Sequence, residues 1–176
     1  MAAQPEIVHA GSSMTHALLG EFDHEMQNTR RTLERVPEDK LTWKPHEKSF
    51  SMGALATHLA SINHWVAAVF SSDSFDVSTA PKNPELKSRQ ELLAAFDRNA
   101  ADARQTIAKA TDAQLTKPWS LMAGPKEIFK LPRIAVLRGF ILNHTIHHRG
   151  QMTVYLRLND VPVPSIYGPS ADEGNF

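Results

Sequence analysis

Two histidines four residues apart, His144 and His148, and a third in a separate apolar segment, His58, are the residues of this chain best suited to chemistry. On an α-helix, positions i and i+4 stack on one face with Cβ atoms about 5–6 Å apart, so two imidazoles at that spacing can converge on one ion. His58 sits within the apolar series Leu55, Leu59 and Ile62, whereas His64 falls off that face. Three inward rings without partners would cost several kcal/mol in lost hydration, and one bound ion would satisfy all of them. The competing reading is that each ring bonds a backbone carbonyl or a neighbour such as Glu25.

Three neutral imidazoles would leave an ion with positions for water or substrate, the arrangement of a catalytic rather than a closed structural site. Zinc is the default, and nickel competes because nitrogen ligands bind it well. Such an ion activates either bound water or an incoming thiolate. A zinc-peptidase H-E-x-x-H is not formed, since Thr145, Ile146 and His147 separate the pair. Glu25 faces inward from the first helix and is the candidate general base or ring-orienting carboxylate; its other reading is a partly exposed acid in a surface ion pair. His147 is turned by about a quarter of the circumference and is a second-choice ligand. Gln151, one turn beyond His148, is placed at the pocket, and Arg149 is turned away into an ion pair. His9, His16, His24 and His46 read as solvated.

The elements that must position these groups are four helices. The first runs from about Ser12 to Arg35, with Met14, Leu18, Phe22, Thr29, Leu33 and Val36 inward and Pro37 beyond its end. A polar connector follows to Ser49, in which Trp43 seals the core. The second helix spans Ser51 to Phe70, with Trp65, Val66 and Val69 completing its inward face. Ser88 with Glu91 predicts a capping box for a third helix ending near Ala110, and Thr111 with Gln114 predicts another for a short turn. A loop containing Pro118, Trp119, Gly124 and Pro125 leads to Pro132, a first-turn proline for a fourth helix ending near Leu158. The fourth helix's inward seam is placed on Ile134, Leu137, Ile141, Met152 and Tyr155, with His144 and His148 on it. The fold class is therefore all-α, with a Pro-rich C-terminal tail folded back over a single 1–176 domain.

The totals narrow the function classes. Nineteen Lys plus Arg balance nineteen Asp plus Glu, so no net field draws the chain to nucleic acid or an anionic membrane. The absence of cysteine removes disulfides, thiolate ligands and a cysteine nucleophile. The opening residues lack a basic n-region and a continuous apolar h-region, and no stretch reaches the length of a membrane span, so a cytoplasmic location is expected.

Four stretches resemble the DinB or YfiT-like helical metalloproteins: ERVPEDKLTWKPHEKS, GALATHLASINHW, NHTIHHRGQM with the following YLR, and VPSIYGPSADE. The H-x-x-x-H-R-G-Q stretch with an upstream helical histidine is the most specific of them. The resemblance implies a four-helix bundle of up-down-down-up order, commonly dimeric, with a metal on three histidines matching His58, His144 and His148. It also implies an activity class, either thiol-dependent transferases and isomerases using low-molecular-weight thiols or metal-dependent hydrolases. A non-catalytic metal- or ligand-binding stress-response protein is the alternative.

Opposite the seam, the fourth helix carries Val136, Gly139, Asn143, Ile146, Gly150 and Val154 rather than charges. A helix apolar on both sides needs cover on both, which predicts a homodimer with this helix near the two-fold axis. The alternative cover is the third helix or the tail of the same subunit.

Overall fold

The computed structural model describes residues 13–80 and 85–174, so His9 and Ser12 lie outside it. Four major helices give the all-α fold. The first is α1 (Ser13–Leu33). The second is α2 (Met52–Ser61), carried through a 3-10 turn (Ile62–His64) into α3 (Trp65–Ser71). The third is α4 (Arg89–Ala108), trailed by the short α5 (Asp112–Thr116). The fourth comprises α6 (Arg133–Val136), a π-helical turn (Leu137–Leu142) and α7 (Asn143–Leu158). Both α1 and α2 pack against α4 and α7, which sets α2 and α7 side by side.

Helix starts follow their local chemistry. Ser51 Oγ accepts from the Ala54 N–H at 3.0 Å, relieving one of the donors left open in the first turn of α2. Thr111 and Gln114 close a full reciprocal box. At α4 the box is offset: Ser88 Oγ accepts from the Glu91 N–H, but the Glu91 carboxylate reaches one residue further back, to the Lys87 N–H at 2.8 Å. Leu18, Phe22, Leu33, Leu55, Leu59, Leu92, Phe96, Ile107, Leu137, Ile141 and Met152 form the buried core. Met14 does not join it and is 37% exposed. The inward position in that turn belongs to Thr15, whose hydroxyl donates to the Ala110 carbonyl at 2.9 Å.

A three-stranded sheet interrupts the helical plan where a loop was expected. Strand β1 (Ser74–Asp76) pairs in parallel with β2 (Pro118–Ala123), which pairs antiparallel with β3 (Lys126–Pro132). Gly124 takes φ +57° in the hairpin turn, a conformation that costs a glycine nothing. The sheet covers a second small cluster of Val69, Trp119, Leu121 and Val136. Val136, assigned from the sequence to the outer stripe, is therefore fully buried. Pro132 ends β3 and stands before the helix rather than inside its first turn. Arg133, buried behind it, bonds the Val69 and Ser72 carbonyls and Asp73 Oδ1 at 2.7, 3.0 and 2.8 Å, tying the end of α3 to the start of α6.

Of the inward seam read from periodicity, Leu137, Ile141, Met152 and Tyr155 are buried and Ile134 partly so, but between Leu142 and Met152 the buried positions are Thr145 and Arg149 rather than His144 and His148. From the end of the π-helical turn onward the buried face comprises Leu142, Thr145, Arg149, Met152, Tyr155 and Leu156. A π turn holds an extra residue, so the faces before and after it are out of step. His144 and His148 consequently stand half-buried on the flank of the core rather than at its centre. Among the described residues, no helix is long and apolar enough to cross a membrane.

Candidate metal centre

The side-by-side placement of α2 and α7 brings His58, His144 and His148 together, with one ring nitrogen from each within 4.8 Å of the others. His144 Nε2 lies 3.2 Å from His58 Nε2 and 2.9 Å from His148 Nε2. Metal–nitrogen bonds of about 2.0–2.1 Å at tetrahedral angles set donors about 3.3 Å apart, close to the two separations at His144. Among the described residues, these three histidines form the one group of histidine or acidic side chains whose ligand atoms all lie within 4.8 Å of one another.

The outer nitrogens decide what the inner ones offer. His148 Nδ1 lies 2.7 Å from Gln151 Oε1, an acceptor, so the hydrogen-bond network assigns the proton to Nδ1 and the lone pair to Nε2. His144 makes a hydrogen bond with the Phe140 backbone that favours the protonated ring, which is donation to its carbonyl. Two Nε2 lone pairs thus face each other at 2.9 Å. A proton from His58 can satisfy one of them, whereas a single cation satisfies all three nitrogens. Bonds of this kind also fix the tautomer and raise the basicity of metal-ligating rings.

Electrostatics favour the same state. Burial, followed by repulsion from His148 and His144, lowers the His58 pKa to about 4. Burial is the first cause that lowers His144 and His148 as well. The rings therefore stay neutral, and able to ligate, below the usual range near 6.5. Two pH effects follow. In the metal-free protein, protonation of the unfolded chain near 6.5 precedes that of the folded ring, so stability falls as pH drops from about 6.5 towards 4. Metal occupancy is expected to hold through pH 6.5 and fail at lower pH, because protons compete with the ion only near the lowered folded pKa values. A chelator titration across pH checks this, and a steep loss of affinity already between pH 7 and 6.5 would contradict it.

The other candidate residues are distributed as follows. His147 is exposed, turned from the triad as its helical position requires. His16, His24, His46 and His64 are also exposed. Glu25 is 5% exposed, and its Oε2 lies 2.6 Å from Arg149 Nη2 and accepts from the Tyr167 hydroxyl at 2.7 Å. Arg149 also donates to the Glu25 carbonyl and to Thr29 Oγ1, and its guanidinium lies 5.2 Å from the Tyr167 ring centroid. Burial, then the bond to Glu25, raises the Tyr167 pKa, so the phenol keeps its proton and donates. Arg149 makes the expected ion pair, but in the core rather than at the surface.

A cavity of about 480 Å³ opens beside His58. Phe50, Trp65, Phe75 and Glu85 line it, and none of the four was singled out from the sequence as a site residue. Their signal there is weak, because Phe75 and Glu85 lie in a polar loop and reach the cavity only through the β1–β2 pairing and the approach of that loop to α2.

Comparisons with known proteins follow the same lines. The chain resembles two crystal structures of DinB-like proteins. One, from Bacillus cereus ATCC 10987, has a TM-score of 0.70 at 20% identity, covering 86% of this chain and 97% of that one. The other, YjoA from Bacillus subtilis, has a TM-score of 0.67 at 19% identity, covering 88% and 99%. At such identities the likeness speaks for the fold. Among curated proteins, the uncharacterized protein YrdA of Bacillus subtilis (strain 168) is 23% identical over 157 residues, 88% of this chain and 89% of its own. The family model of the DinB superfamily matches residues 21–152, most of the chain and all three histidines, and the protein belongs to that superfamily.

Proposed function

We propose that the protein is a metal-dependent enzyme of the thiol-dependent S-transferase or hydrolase type, with a divalent ion on His58, His144 and His148. The observation that carries this reading is the convergence of the three ring nitrogens, with His144 and His148 Nε2 2.9 Å apart, beside an open cavity. An ion there, zinc or nickel, would supply Lewis acidity to a bound thiol or water. The chain's own part is to orient the rings through Gln151 and Phe140, and to offer an aromatic-walled cavity next to His58. A structural site would have no use for that cavity, which favours catalysis over metal storage by a non-catalytic stress-response module.

Within this reading the whole chain, 1–176, is one bundle of up-down-down-up order, with the tail held on it and a location in the cytoplasm. The tail's contacts agree with that role: Arg31 bonds the Ser165 carbonyl at 2.8 Å and Glu173 Oε2 at 2.7 Å. Glu25 acts as the partner that positions Arg149 in α7, between His148 and Gly150, with direct base catalysis as the competing role. The homodimer through the fourth helix gains support from Gly139 and Gly150, where an added Cβ would meet open space, and from Val154, 56% exposed. Light scattering that returns a monomer at micromolar concentration would remove it.

The enzymatic reading is tested by supplying zinc or nickel to the purified protein and measuring turnover of small-thiol conjugates and of esters. Metal-dependent turnover that disappears in His148→Ala while the helical circular dichroism persists is the expected result. Stoichiometric metal with no turnover across both substrate classes would favour the binding module.

A further inference from the structure

We infer that the cavity beside His58 holds a second recognition point, Glu85, that selects a ligand bearing an ammonium-type cation. Glu85 is seated from behind. Its Oε1 lies 3.3 Å from the Ser51 hydroxyl that caps α2, and a Cβ on Gly53 would collide with the same oxygen. Glycine at position 53 is what lets the carboxylate lie against the first turn of α2, and Glu85 also lines the cavity. Among the described residues, no lysine, arginine or histidine pairs with it.

The rest of the wall suits the same ligand. Phe50, Trp65 and Phe75 line the cavity, with Trp65 and Phe75 edge to face at 4.8 Å between centroids. Aromatic faces attract cations, most strongly where water is excluded, and a half-buried carboxylate supplies the counter-charge. An anionic group at this end would meet like charge. His58 lines the same cavity, so a molecule held by Glu85 there could present another group to the triad. Assigning the ammonium to a substrate rests on reading the cavity as the substrate's pocket; the preference for a cation does not.

The test uses three probes that share a phenyl ring: benzyltrimethylammonium, which cannot ligate a metal, benzyl alcohol and phenylacetate. Calorimetry on the full chain should show the cation binding at least about tenfold more tightly than the other two, equivalent to about 1.4 kcal/mol. The Trp65 indole NMR signal should move on binding. Glu85→Gln, which keeps the acceptor for Ser51, should erase the preference, and His148→Ala should retain it even though its metal site is broken. A wild-type preference that shrinks between low and high salt would support the carboxylate independently, should Glu85→Gln not fold. Equal binding of the three probes, no binding at all, a ranking unchanged by Glu85→Gln, or a salt-independent preference would overturn the inference.

Discussion

His148→Ala is expected to lower metal affinity by at least about 100-fold while leaving the helical content of the protein intact. The loss of one of three donors is larger than the 10–100-fold typical of removing an outer partner of a ligating ring. The fold should survive because His148 stands half-buried on the flank of the core and is not one of its apolar members. Competition with a chromophoric chelator measures the affinity, and circular dichroism the fold. His58→Ala and His144→Ala should behave alike, since each supplies one nitrogen of the same cluster. Wild-type affinity in any of the three would break the triad as a unit.

The second large effect is on stability. Removing Glu25 by Glu25→Ala is expected to destabilise the protein by about 3–5 kcal/mol, because Arg149 would keep a buried charge without its partner. The two side chains are 6% and 2% exposed, so solvent cannot take over. Thr29 Oγ1 and the Glu25 backbone carbonyl would still accept from Arg149, but neither carries charge. The double replacement Glu25→Leu with Arg149→Met should recover most of the loss, since an apolar pair of similar volume avoids the desolvation of both ions. Denaturant unfolding measures both. A third variant, Glu25→Gln, separates two roles for Glu25. A base at the metal would lose turnover in Glu25→Gln with stability nearly unchanged, whereas a structural partner of Arg149 shows the reverse.

The sequence carried the histidine triad because the evidence for it is local and periodic. His144 and His148 announce one helical face by their spacing, and His58 declares itself by its apolar neighbours. The helix starts at Ser51, Ser88 and Thr111 were legible for the same reason, being short-range hydrogen-bond chemistry. What escaped depended on residues distant in the chain. β1 is three residues long and acquires its identity only by pairing with Ser120, Leu121 and Met122. The Trp119 to Phe129 stretch, with Gly124 and Pro125 between two apolar runs, did hold a hairpin signal, but an all-α expectation made it a loop. Arg149 defeated the periodicity argument for a physical reason. A charged residue is assigned outward by default, and this one lies inward because Glu25, 124 residues away, neutralises it.

The six-residue π-helical stretch from Leu137 to Leu142 separates the half of the fourth helix that is anchored to the sheet from the half that bears the rings. Each residue of a helix advances the chain by about 100°. Its surplus residue therefore works as a vernier, setting the azimuth of His144 and His148 independently of Val136 and Leu137. Natural or laboratory variants that shorten this stretch by one position would leave every ligand in the chain and rotate two of them out of register with His58.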